Sequence, residues 1–137
     1  MKHLTTYLTF DGTCKDAMTF YAKCLDAELI LSPMSEAPGV PPGTAGERIM
    51  HARLSKNGAP RLMASDSMVG HPLTEGTNFS VAIECESVEE IDALFAAFAE
   101  GGTVTMPVTD TFWNARFGML KDKFGIHWMF NFEKPKA

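Results

Sequence analysis

Two helix-period segments, each preceded by one strand-like run and followed by three, divide this chain into two halves of the same plan. In the first half, residues 3–10 alternate, with Leu4, Leu8 and Phe10 on one face and Thr5, Tyr7 and Thr9 on the other, as in a strand with one face on a core. After the turn Asp11-Gly12, residues 14–25 set Ala17, Met18, Tyr21, Cys24 and Leu25 at helical spacing, with Thr13 as the expected N-cap. Strands are expected over 27–32, 48–55 and 61–65, the last two joined through Lys56-Asn57-Gly58-Ala59, whose Asn-Gly pair signals a hairpin. Between them, residues 33–46 hold four prolines and three glycines, so an irregular, mobile loop able to close over a site is expected there.

The second half repeats the order: a strand over 78–84, a helix over 88–100 and strands over 103–107, 112–121 and 126–132. Ser87 with Glu90 forms a capping-box pattern, Gly101-Gly102 ends the helix, and Val88, Ile91, Leu94, Phe95 and Phe98 make an apolar stripe that a sheet must cover. The reading is of one α+β domain: module one over 1–66, a linker over 67–77 and module two over 78–137. Two β-α-β-β-β modules with their helices outside curve a mixed sheet around a shared hollow, so a pocket is expected.

Composition narrows the functions available. A net charge of −5 over 137 residues opposes binding to nucleic acid, which needs clustered Lys and Arg. No run approaches the roughly 18 apolar residues of a membrane span, and the chain opens directly into a strand pattern, so it is read as cytoplasmic with no membrane partner. Three cysteines, Cys14, Cys24 and Cys85, with no CxxC pair, indicate free thiols rather than a disulfide framework or a zinc ribbon. Cys14 falls at a helix start, where the dipole favours a thiolate, yet it reads first as a small packed residue.

Tyr7-Leu8-Thr9-Phe10-Asp11-Gly12, followed by Ala17 and Phe20-Tyr21, resembles the vicinal-oxygen-chelate superfamily of glyoxalases, extradiol dioxygenases and bleomycin-resistance proteins. Its PhnB-like branch is the nearer likeness, through His51-Ala52, Ser65-Asp66, Thr111-Phe112-Trp113 and Asp122-Lys123-Phe124-Gly125-Ile126-His127-Trp128-Met129, which together span nearly the whole chain. Some members of that branch carry a ubiquinone-methyltransferase label. This chain has no Gly-rich strand-to-helix turn for S-adenosylmethionine, so that activity is not expected of it.

The resemblance implies a metal site in the metal-dependent members, with His, Gln or Glu at one cup-facing position on each of four strands. Here those positions fall on Thr5, on Met63 or Ser65, on Asn78 and on Met129, none of which is a strong ligand for a hard divalent ion. A one-residue slip in the first strand offers only Leu4 or Thr6. No metal and no cofactor are therefore expected. His51 and His127, with Glu84 or Asp66, are the remaining candidates for a different metal site, His3 being terminal and His71 in the linker. The histidines read as hydrogen-bonded pocket-wall residues. Asp66 and Glu84 are alternatively an acid–base pair, although Asp66 reads first as a turn cap.

Tyr7, Trp113, Phe117 and Trp128, with Met63, Met119 and Met129, suit a mostly apolar pocket bearing a few polar groups. Alternation turns Ile126, Trp128 and Phe130 toward the helix and His127, Met129 and Asn131 toward the cup. The expected ligand-binding set is Thr5, Tyr7, His51, Met63, Ser65, Asn78, Trp113, Phe117, His127 and Met129. The expected function is binding of a small, partly aromatic molecule, as in bleomycin-resistance proteins; the alternative is a lyase or oxygenase of the same superfamily acting on a small substrate. The resemblance also implies a homodimer, since members complete their cups by apposing modules, and nine methionines and ten phenylalanines supply apolar surface for one.

Overall fold

The computed structural model describes residues 1–36 and 48–136. It divides into two compact units, Met1–Thr74 and Glu75–Ala137.

In the first unit β1 (Thr6–Phe10) leads to α1 (Cys14–Leu25), then β2 (Glu28–Pro33), β3 (Ile49–Lys56) and β4 (Ala59–Asp66). The sheet order is β1-β4-β3-β2, with β1 parallel to β4 and the other pairs antiparallel. Alternation decides which face the helix covers. Leu8, Phe10, Leu62, Ala64, Ala52 and Leu54 are buried, together with Cys14, Ala17, Met18 and Tyr21 of α1. Ala64 lies beside both Leu8 and Ala52 across the strands, so two small side chains leave room for the bulky Met18 and Tyr21. Each large apolar side chain buried in this layer contributes about 1.5–3 kcal/mol. The β3–β4 hairpin turns through Asn57 (φ 54°) and Gly58 (φ 78°), the left-handed pair that a two-residue hairpin of the strand-matching hand requires.

The α1 N-terminus is held from outside the helix. Thr13 makes no side-chain cap. Instead Asp66, at the end of β4 and only 4% exposed, accepts hydrogen bonds from Gly12 N (2.7 Å) and Cys14 N (3.0 Å) through Oδ1 and from Ile49 N (2.8 Å) through Oδ2. A buried carboxylate thus satisfies two donors at the helix entry and one at the start of β3. This overturns both the expected Thr13 cap and the acid–base reading of Asp66, whose two oxygens are committed to the backbone.

In the second unit β5 (Val81–Glu84), α2 (Val88–Ala99), β6 (Thr103–Asp110), β7 (Ala115–Lys121) and β8 (His127–Glu133) form a sheet of order β5-β8-β7-β6. The β5–β8 pair is parallel and the others antiparallel. The Ser87 cap forms, its Oγ accepting from Glu90 N at 3.0 Å, while the Glu90 carboxylate reaches one residue past the cap and accepts from Glu86 N at 2.8 Å. Phe98 packs on Trp128 and Phe130 at centroid distances of 4.6 and 5.4 Å, and Phe95 packs on Phe130 at 5.4 Å. A Cβ on Gly118 would meet the Phe95 ring at 2.8 Å and Val108 Cα at 2.9 Å, so glycine is what lets α2 and β6 close over β7 there. Asp122 in the β7–β8 turn accepts from Phe124 N, Ile126 N and Trp128 Nε1, which fixes the indole under the helix.

Several expected boundaries move. β1 starts at Thr6, leaving His3 and Leu4 outside it, and Leu4 is 91% exposed rather than core. β5 starts at Val81, three residues after Asn78. β6 runs on through Pro107 to Asp110, because an edge strand needs no N–H from that position. Phe112 and Trp113 lie in the turn before β7 rather than in a strand. Val88 is exposed and Leu94 only half-buried, so the α2 stripe narrows to Ile91, Phe95 and Phe98. Of the loop expected over 33–46, Pro33 closes β2 and Met34–Glu36 form a 3-10 turn, while 37–46 lie outside the described residues.

Replacing Asp66 by Asn turns an amide N–H₂ toward backbone donors. Urea denaturation should show a stability loss of about 2 kcal/mol or more; an unchanged midpoint would contradict the capping role.

Candidate functional site

The face of the first sheet opposite α1 carries polar and aromatic side chains. Tyr7 and Thr9 of β1 lie beside Met63 and Ser65 of β4, Met63 lies beside Arg53 of β3, and β2 adds Ile30 beside Arg53 and Ser32 beside His51. Strands β1 and β3, on either side of β4, bring Tyr7 and His51 together: the Tyr7 hydroxyl lies 3.2 Å from His51 Nδ1, and the rings stack at 5.8 Å and 29°. Tyr7 remains 48% exposed, so this pair is surface that a ligand can reach. Thr5 sits one residue before β1, and among the described residues its Oγ1 is the buried side-chain polar atom with no hydrogen-bond partner.

The corresponding face of the second sheet is more apolar. Register sets Ala82, Met129, Met119 and Met106 in one row and Glu84, Asn131, Phe117 and Thr109 in the next, with His127 beside Lys121. Asn131 Nδ2 donates to Glu84 Oε2 at 2.9 Å. Trp113 reaches this face from its turn, its ring edge-on to Phe117 at 6.2 Å and to Phe112 at 5.0 Å. Trp128 faces the other way, 1% exposed beneath α2.

Of the ten expected ligand-binding residues, Tyr7, His51, Met63 and Ser65 share one face of the first sheet, and Phe117, His127 and Met129 share one face of the second, with Trp113 against Phe117. Thr5 stands at the edge of its group, and Asn78 is exposed before β5 rather than on a strand. Sequence reasoning passed over Arg53; the signal was its position between Ala52 and Leu54, both fully buried.

The metal-dependent arrangement does not fit this donor set. Thr5, Met63, Ser65, Asn78 and Met129 supply hydroxyls, thioethers and an amide, and His51 is engaged with Tyr7. Among the described residues no group of three or more His, Cys, Asp or Glu side chains stands close enough to hold a metal ion. Neither Cys14 nor Cys85 is an activated thiol. Burial, with the Asp66 carboxylate beside it, pushes the Cys14 thiol up to about 12, which corrects the idea of a dipole-activated thiolate. Burial, with Glu90 and Glu84 nearby, raises Cys85 to about 11.

With both units and their faces in view, the class is defined: this is the glyoxalase, bleomycin-resistance and dioxygenase fold. A protein of that class from Burkholderia phytofirmans shares the fold at a TM-score of 0.62 and 16% identity, over 95% of this chain and 97% of its own. The chain belongs to the PhnB-like family, since the family model described as 3-demethylubiquinone-9 3-methyltransferase matches residues 2–130. Protein PA1353 from Pseudomonas aeruginosa is similar at 38% identity and a TM-score of 0.88, covering 98% of this chain and all of that one. A PhnB protein from Bacillus cereus is similar at 33% identity and a TM-score of 0.77, over 96% and 99%. The methyl-transfer activity in the family description finds no fitting cofactor site at the strand-to-helix turns. Gly12 and Cys14 N–H groups are bound to Asp66, and the second turn is closed by Ser87 and Glu90. No membrane-crossing role is carried by a helix, as no described helix is long and apolar enough to span a bilayer.

Iodoacetamide at about pH 8 should leave Cys14 and Cys85 unlabelled in the folded protein, as read by peptide mass spectrometry, and label them once unfolded. The unfolded chain ionises both thiols from about 9, whereas the folded chain holds them protonated to about 11 and 12. Stability from this source is therefore present below pH 9 and lost as pH rises through that window. Rapid native labelling of Cys14 would contradict the assignment.

Proposed function

We propose that this protein binds a small, partly aromatic molecule on the helix-opposite sheet faces and does so without a metal ion. The Tyr7–His51 pair carries the reading: an aromatic platform with a hydroxyl and an imidazole, bordered by Met63 and Ser65, is reachable on a face that the fold does not use for its own core. Small-molecule sites have this make-up, apolar and aromatic walls with a few placed polar groups. Phe117, Met129, His127 and Trp113 offer a second surface of the same kind. The donor chemistry supports sequestration or sensing over metal-dependent lyase or oxygenase chemistry, and Asp66 is unavailable as a base.

The same proposal includes a cytoplasmic homodimer. Phe112 at 96% exposed and Phe79 at 61% are more apolar surface than a small monomer usually shows, and a symmetric partner would cover such surface. An obligate interface should bury about 2,000 Å² or more in total.

Two measurements decide. Elemental analysis of freshly purified protein should find far less than the roughly one equivalent of zinc, nickel, manganese or iron per chain that a resident site would hold; a stoichiometric metal would overturn the metal-free reading. Light scattering at micromolar concentration should give twice the chain mass, and the monomer mass of 15.0 kDa would overturn the dimer.

A further inference from the structure

We infer that the molecule held on the first sheet's open face is an organic anion, a planar or apolar body bearing a carboxylate or similar oxyanion whose charge is met by Arg53. This rests on the reading of that face as a binding surface and adds the ligand's charge to it. Arg53 stands on β3, an interior strand, and register places it in the row Tyr7, Met63, Arg53, Ile30. Its neighbours Ala52 and Leu54 are fully buried under the helix, so its own side chain leaves on the opposite face, where it is exposed.

Among the described residues no carboxylate forms an ion pair with this guanidinium. Arg48 pairs with Asp11 at 2.6 Å, Arg116 with Asp92 at 2.7 Å and Lys134 with Asp110 at 2.9 Å, while Lys56 donates to the Leu25 and Asp26 carbonyls. Arg53 makes no ion pair or side-chain hydrogen bond with a described residue. Glu28 shares its face, on the edge strand beside Ser55, and makes no ion pair with Arg53. Asp66 is buried on the helix side with both oxygens in use. In a chain of net charge −5, an unpaired guanidinium flanked by Met63 and Ile30 is a fork for a carboxylate, with a thioether beside it and the Tyr7 ring one strand further along the row for the body that carries the carboxylate.

Fluorine NMR with 4-fluorobenzoate and its neutral counterpart 4-fluorobenzamide tests this on the full chain. Wild-type protein should bind the benzoate about tenfold or more tightly than the amide, and Arg53→Gln should bring the two together by weakening the benzoate alone. Equal binding of both probes by the wild type, or a preference that survives Arg53→Gln, would overturn the anion inference and leave the binding surface standing. Binding of neither probe would overturn both. Arg53 is exposed and makes no ion pair with a described residue, so the variant should fold with an unchanged urea midpoint.

Discussion

The first unit depends on one buried carboxylate. Asp66 collects three donors from two stretches far apart in sequence: the turn after β1 together with the first residue of α1, and the first residue of β3. A helix entry normally leaves its N–H groups to a nearby side chain or to water. Here the last residue of a strand does that work, so the position of α1 is fixed relative to the sheet. With the helix pinned to one face, Leu8, Phe10, Leu62 and Leu54 must bury there, and the alternate residues are left to the other face. The second unit uses the same chemistry in a different place, with Asp122 holding Phe124 N, Ile126 N and the Trp128 indole.

What the open faces can do follows from which polar groups the fold has already consumed. Asp66 and Asp122 are spent on backbone and indole N–H groups, Glu90 on a helix cap, and Asp92 and Asp110 on Arg116. The first open face keeps a phenol, an imidazole, hydroxyls, a thioether and the unpaired guanidinium of Arg53. That inventory supports the proposed recognition of a ring and an oxyanion by contact and hydrogen bonding, and among the described residues it lacks the convergent carboxylates and imidazoles that hold a divalent ion.

Much of this was legible from local pattern. Both ends of α1 match the sequence reading, because Asp11-Gly12 breaks the strand before it and the 3.6-residue period is unbroken to Leu25. The Asn57-Gly58 hairpin and the Ser87 cap each carry their mechanism in two or three residues. Alternation in β8 separates core Trp128 from His127 and Met129 correctly. What escaped was long-range. Asp66 binds N–H groups 17, 52 and 54 residues away, which no local rule for turn aspartates reveals. Local pattern puts Asn78 and Phe112 in strands because strand ends are decided by partners it does not contain, and Pro107 hides the length of an edge strand. An arginine in an alternating strand, such as Arg53, reads as ordinary solvated surface until its missing ion pair is seen in three dimensions.

The central claim is that the helix-opposite face, and not the helix side of the molecule, receives the ligand. Amide chemical-shift mapping with a library of small aromatic fragments tests it directly. The account predicts that binders converge on Tyr7, His51, Met63 and Ser65, with little change along the solvent-facing positions of α1. Fragments that mapped to the helices, or scattered with no preference for that face, would contradict it.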